Sequence, residues 1–113
     1  LPGGLLLMVQ RAPVAVVALT GEIDLANCPE LEVVVARLAA DPGIERVIVD
    51  LTSVGFLAAC GVRCLVGLRM RLAAKGHTLQ LVVSPDAGPV RRVLALIDGF
   101  DIADSLVEAG AVG

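Results

Sequence analysis

Two mostly apolar runs, Val14 to Thr20 (VAVVALT) and Arg46 to Leu51 (RVIVDL), flank a segment whose apolar residues recur at helical spacing. A run of that kind fits a strand covered on both faces, and two such strands joined through a helix come back parallel, because a hairpin cannot connect them. In the intervening segment Leu31, Val34, Val35, Leu38 and Ala39 fall at i, i+3, i+4, i+7 and i+8, one apolar stripe on a helix. Asn27 is placed to cap this helix, Pro29 and Glu30 suit its first turn, and Asp41-Pro42-Gly43 ends it. The result is a βαβ unit with a crossover of the usual hand. It restricts the chain to an α/β fold.

The flanking segments extend that unit. Leu5 to Gln10 predicts a preceding strand, and Arg11-Ala12-Pro13 is short enough for a hairpin, so this pair is antiparallel. A second helix spans about Ala59 to Lys75; at 100° per residue it gathers Val62, Leu65, Val66, Leu72 and Ala73 on one arc and Cys60, Cys64, Gly67 and Arg71 on the other. On this layout the thiols face away from the core. Arg69 falls inside the apolar arc, which requires either a snorkelling stem or a drift in register. Gly76 closes the helix, Thr78 to Val83 is another strand, Ser84 to Gly88 a loop, and Pro89 opens a third helix to about Ile97. Phe100 to Leu106 predicts a short edge strand before a frayed Gly/Ala-rich tail. The architecture is one domain over residues 1–113, a mixed β-sheet of four to five strands with βαβ crossovers and helices packed on it.

Composition narrows the function. Hydrophobic residues make up 57% of the 113, yet the longest uncharged stretches fall well short of the roughly 18 apolar residues that a membrane span needs. The expectation is a cytoplasmic domain with no membrane insertion; its start at Leu1 reads as trimmed and leaves a longer parent chain open. Nine basic against twelve acidic residues, with Phe56 and Phe100 as the aromatics, provide neither the basic footprint nor the stacking platform of a nucleic-acid binder. Cys28, Cys60 and Cys64 form no Cys/His ligand pattern with the lone His77, so no metal and no cofactor is expected.

In such sheets ligands gather at the loops beyond the carboxyl ends of the parallel strands. These are Gly21-Glu22-Ile23-Asp24, Thr52 to Cys60, and Ser84 to Gly88, which predicts Asp24, Cys28 and Cys60 as neighbours. Catalysis by Cys60 would need a base, and His77, at the amino end of its strand, lies at the opposite edge; the chain is read as not an enzyme. A redox pair would be Cys60 with Cys64 or, with better geometry than an i,i+4 pair on a rigid helix, Cys28 with Cys60. The plainer account makes each cysteine a small hydrophobe. Glu22 and Asp24 equally suit a solvated turn, and Arg91-Arg92 an exposed helix face.

Taken in order, Leu19-Thr20-Gly21-Glu22-Ile23-Asp24, Val47 to Leu51 leading to Phe56-Leu57, Gly61, Gly76, and Ser84-Pro85 before Val90-Arg91-Arg92-Val93-Leu94 resemble a STAS domain of the bacterial anti-sigma-factor antagonist type. The resemblance implies a partner: an anti-sigma factor of the serine-kinase type, bound so that a sigma factor is freed for transcription. In that family the turn before the second helix commonly reads Asp-Ser-Ser-Gly, and phosphorylation of the second Ser abolishes docking. Here it reads Ala58-Ala59-Cys60-Gly61, with Cys60 in the phospho-acceptor position. The resemblance thus implies a partner-binding set of Asp24, Leu57, Ala58, Ala59, Cys60, Gly61 and Cys64, with phospho-control lost or replaced by control through Cys28, Cys60 and Cys64. The alternative it leaves open is a STAS module of an anion transporter, a stress-signalling complex or a lipid-transport ATPase.

Overall fold

The computed structural model describes residues 4–11, 13–23, 28–97 and 99–110. β1 (Gly4–Arg11) pairs antiparallel with β2 (Val14–Ile23), from Gly4 against Thr20 to Arg11 against Val14, as the short connection between them demands. α1 (Cys28–Ala39) leads to β3 (Arg46–Leu57), α2 (Ala59–Ala74) to β4 (Thr78–Val82), and α3 (Gly88–Ala95) to β5 (Asp101–Ala103). The sheet runs β1-β2-β3-β4-β5, parallel everywhere except between the first two strands. The α/β class follows the sequence pattern, and each of the three helices joins two parallel neighbouring strands.

The core lies on one face of the sheet. Ala15, Val17 and Leu19 of β2, Val47, Val49 and Leu51 of β3 and Leu79 and Leu81 of β4 meet Leu31, Val35 and Leu38 of α1, Leu65, Leu68 and Leu72 of α2, and Val90 and Leu94 of α3. The opposite face carries a smaller cluster of Ile48, Val82, Ala103 and Ala109, with Val14, Val16 and Leu106 packed at its margin. The expectation that β2 is covered on both faces therefore holds for one side only: Val14, Val16 and Ala18 are half-buried. The helices contribute their core residues to the first cluster, and the second is closed in part by the segment after β5. The predicted edge strand, Phe100 to Leu106, is shorter, and the tail after it, expected to fray, has Ala109 buried.

Element ends differ from expectation in one place that matters. Residues 52–57, read as a loop, continue β3 and pair with β2: Ser53 with Thr20, Val54 with Gly21, Phe56 with Glu22 and Leu57 with Ile23. Register shifts between Ala18 and Thr20 and between Gly21 and Glu22 each leave one extra residue on β3. Each such bulge resets the alternation of faces, so Leu51, Val54 and Leu57, three apart, are all buried. A period of three reads as irregular when a strand is sought at period two. The turn into α2 shrinks to Ala58, in extended conformation.

At its far end α2 stops in the conformation its glycine allows. Gly76 has φ +81, its amide donates to the Ala73 carbonyl at 3.1 Å, and the His77 amide donates to Leu72 at 2.8 Å, the pattern of a glycine-terminated helix. No helix among the described residues is long and apolar enough to cross a membrane.

Candidate docking rim at the start of the second helix

The carboxyl end of β3 delivers the chain directly into α2, with the Ala58 carbonyl accepting the first helical bond from Val62 at 3.0 Å. Ala58 is the N-cap residue and has no side-chain oxygen to accept from the free amides of the first turn. Ala59 is exposed, Cys60 half-buried, and Leu57, Gly61 and Cys64 lie beneath them. The outward-facing part of the predicted set is thus Ala58, Ala59 and Cys60, three small uncharged side chains, while Leu57 and Gly61 support it from below. Asp24, and with it the predicted contact to Cys60, lies outside the described residues, as does Asn27, the predicted cap of α1.

The cysteines are arranged differently from the sequence layout. Cys28, the first residue of α1, is joined by a disulfide to Cys64 of α2, with Cα atoms 6.3 Å apart, and Cys60 is free. Neither pair weighed from the sequence is the one formed. The cause is helix packing: in consecutive βαβ units the helices run side by side in one direction, so the face of α2 assigned to solvent turns towards α1. Cys64 is 8% exposed and belongs to the core. One stripe further along, Arg71 Nη1 donates to Glu32 Oε2 at 2.7 Å. Beyond this pair the two helices enclose an apolar groove of about 230 Å³, with Val35, Ala39, Leu68 and Leu72 in its wall and Lys75 at its end.

His77 sits at the other end of α2 from Cys60, about 24 Å away for sixteen helical residues, and its Nε2 donates to the Ala39 carbonyl at 2.9 Å. No Cys–His pair forms. Arg91 is not the exposed cation expected. It donates to the Ser84 carbonyl at 3.0 Å and the Val83 carbonyl at 2.9 Å and pairs with Asp104, clamping the loop after β4 to the segment after β5. Glu32, Arg71 and Arg91 were not singled out as functional positions from sequence; Glu32 lies four residues after Cys28, on the same helix face, and that spacing was available to read.

The STAS domain family model matches residues 6–109. The chain belongs to the STAS domain family. Among solved structures, this STAS domain is similar to an anti-sigma factor antagonist from Mycobacterium paratuberculosis, with 26% identity and TM-score 0.77 over 93% of this chain and 89% of that one. It is similar in fold to the anti-sigma factor antagonist SpoIIAA in its unphosphorylated form, with 17% identity and TM-score 0.71 over 95% and 94%. The murine anion transporter Slc26a9 contains the same fold within a much larger chain, with 19% identity, TM-score 0.67 and coverage of 98% of this chain against 22% of the transporter. No curated protein sequence matches.

Proposed function

We propose that this STAS domain is an anti-sigma-factor antagonist that docks on an anti-sigma factor of the serine-kinase type and frees a sigma factor, with Cys60 standing where the family carries its phospho-accepting serine. The observation that carries this reading is likeness to the mycobacterial antagonist, at 26% identity over nearly the full length of both chains. The rim suits the role. Ala58, Ala59 and Cys60 let a partner approach the α2 backbone closely, and a phosphate there would set about two negative charges into the contact. A serine kinase cannot place one on a thiol, so docking is either constitutive or governed by sulfur chemistry. In the second case the lever is the Cys28–Cys64 bond, which ties the start of α1 to α2 one turn below Cys60.

The test is calorimetric titration against a panel of serine-kinase anti-sigma factors. Wild type and Cys60→Ser are expected to bind one of them alike, and Cys60→Asp at least ~10-fold more weakly, because a misplaced charge in an interface costs on the order of a few kcal/mol. Equal affinity for the two variants removes Cys60 from the interface. Incubation with that kinase and ATP is expected to add a phosphate to Cys60→Ser and none to wild type, read as intact mass; phosphate on the wild-type peptide containing Cys60 overturns the loss of phospho-control.

A further inference from the structure

Between the N-terminal halves of α1 and α2, Cys28 Sγ, Cys64 Sγ and a Glu32 carboxylate oxygen all lie within 4.8 Å of one another. The carboxylate is divided between two tasks. Its Oε2 is held by Arg71 at 2.7 Å, while Oε1 is aimed at the Cys28 sulfur at 3.4 Å. In the disulfide that sulfur carries no proton to donate, so the oxygen gains nothing from the contact. A thiol or a cation at the same place would satisfy it.

We infer that the reduced protein binds one soft divalent cation, Zn²⁺ as the reference ion, through the thiolates of Cys28 and Cys64 and the carboxylate of Glu32. Two thiolates and a carboxylate are a zinc donor set, and three protein ligands leave a fourth position for water. Two Zn–S bonds at a tetrahedral angle need sulfurs roughly 3.8 Å apart, a separation open to them once the S–S bond is broken, and the 6.3 Å Cα spacing spans either arrangement. Arg71 orients the carboxylate from outside, as outer-shell partners of metal ligands do. Its positive charge also offsets the single negative charge left when Zn²⁺ meets three anionic ligands. The sequence hides the site because a carboxylate completes it where Cys or His is sought.

The inference does not depend on the docking reading. Bridge and ion exclude each other: a phosphine with one water cleaves the disulfide to two thiols and leaves as its oxide, and the ion then displaces both thiol protons. The experiment uses the full chain reduced with a phosphine, titrated with Zn²⁺ against a chromophoric chelator and in parallel with Co²⁺. Expected are one equivalent bound, a near-ultraviolet thiolate-to-Co²⁺ band, no uptake by the disulfide form, and no change in Cys60→Ala. Glu32→Gln, on a half-exposed helix face that keeps the fold, is expected to weaken binding at least ~10-fold, the lower range for loss of even an outer-shell group. Cys64→Ser, checked for helix content, is expected to abolish it. The inference is overturned by absence of uptake in the reduced protein, by equal uptake in the disulfide form, by unaltered affinity in Glu32→Gln, or by loss of the ion in Cys60→Ala.

Discussion

The guanidinium of Arg69 stacks over the Phe100 ring, 4.5 Å from its centroid. This is how a charge enters the apolar arc of α2: the stem shares the hydrophobic surface and the head meets the ring's electron-rich face. From sequence the residue could only be flagged as a conflict, because its partner lies beyond β4 and α3 and no local spacing joins them. The same contact constrains Gly99, whose φ is +96 and whose added Cβ would stand 2.8 Å from Arg69 Nη1. Gly99→Ala is expected to lower stability by about 1–2 kcal/mol, chiefly from the left-handed backbone, since the crowded atom is the tip of a flexible side chain. Urea unfolding measures this, and the same substitution in an Arg69→Ala background separates the causes. A cost that vanishes there assigns the effect to crowding; a cost that persists assigns it to φ.

At the scale of elements, α2 is a strong helix with a weak beginning. Ala58 accepts the first helical bond through its carbonyl but offers nothing to the free amides, and the first turn has no acidic residue. The resemblance drawn from the sequence implies Asp at this position in the family's motif. Ala58→Asp is therefore expected to raise stability by about 0.5–2 kcal/mol through a restored cap and a favourable meeting with the helix dipole. Within the same helix, Gly67 has open space where a Cβ would sit, so Gly67→Ala is expected to add about 0.5–1 kcal/mol. Chemical unfolding of both, with the two gains adding because the sites are separate, checks the pair; no gain from Ala58→Asp would mean that the amides already have partners. The helices were legible from period and punctuation, their ends less so. The extension of β3 to Leu57 was not legible, since two bulges convert its period into three.

For the whole molecule, the decisive property is that the core residues of all three helices fall on one face of a mainly parallel sheet. That arrangement was implied by the alternation of strand and helix patterns, but the sequence does not state how far two neighbouring helices rotate towards each other. A single-helix projection put Cys64 outside, whereas the presence of α1 puts it inside and opposite Cys28. The bridge so formed links positions 36 apart in sequence, and on the chain-entropy account a loop of that length restricts the unfolded chain by about 3–4 kcal/mol. Reducing the disulfide is thus expected to lower the unfolding temperature by roughly 10–20 °C for a domain of this size, while leaving the fold intact, because the sheet and the Leu65, Leu68 and Leu72 contacts do not depend on sulfur. Scanning calorimetry in chelator, with and without a phosphine reductant, tests this. Cys60→Ser is expected to show the full drop on reduction, and a Cys28→Ser, Cys64→Ser double variant to begin at the lower temperature and not respond. A wild type indifferent to reductant would mean that the two helices are held by packing alone and that the bridge contributes nothing to the folded chain.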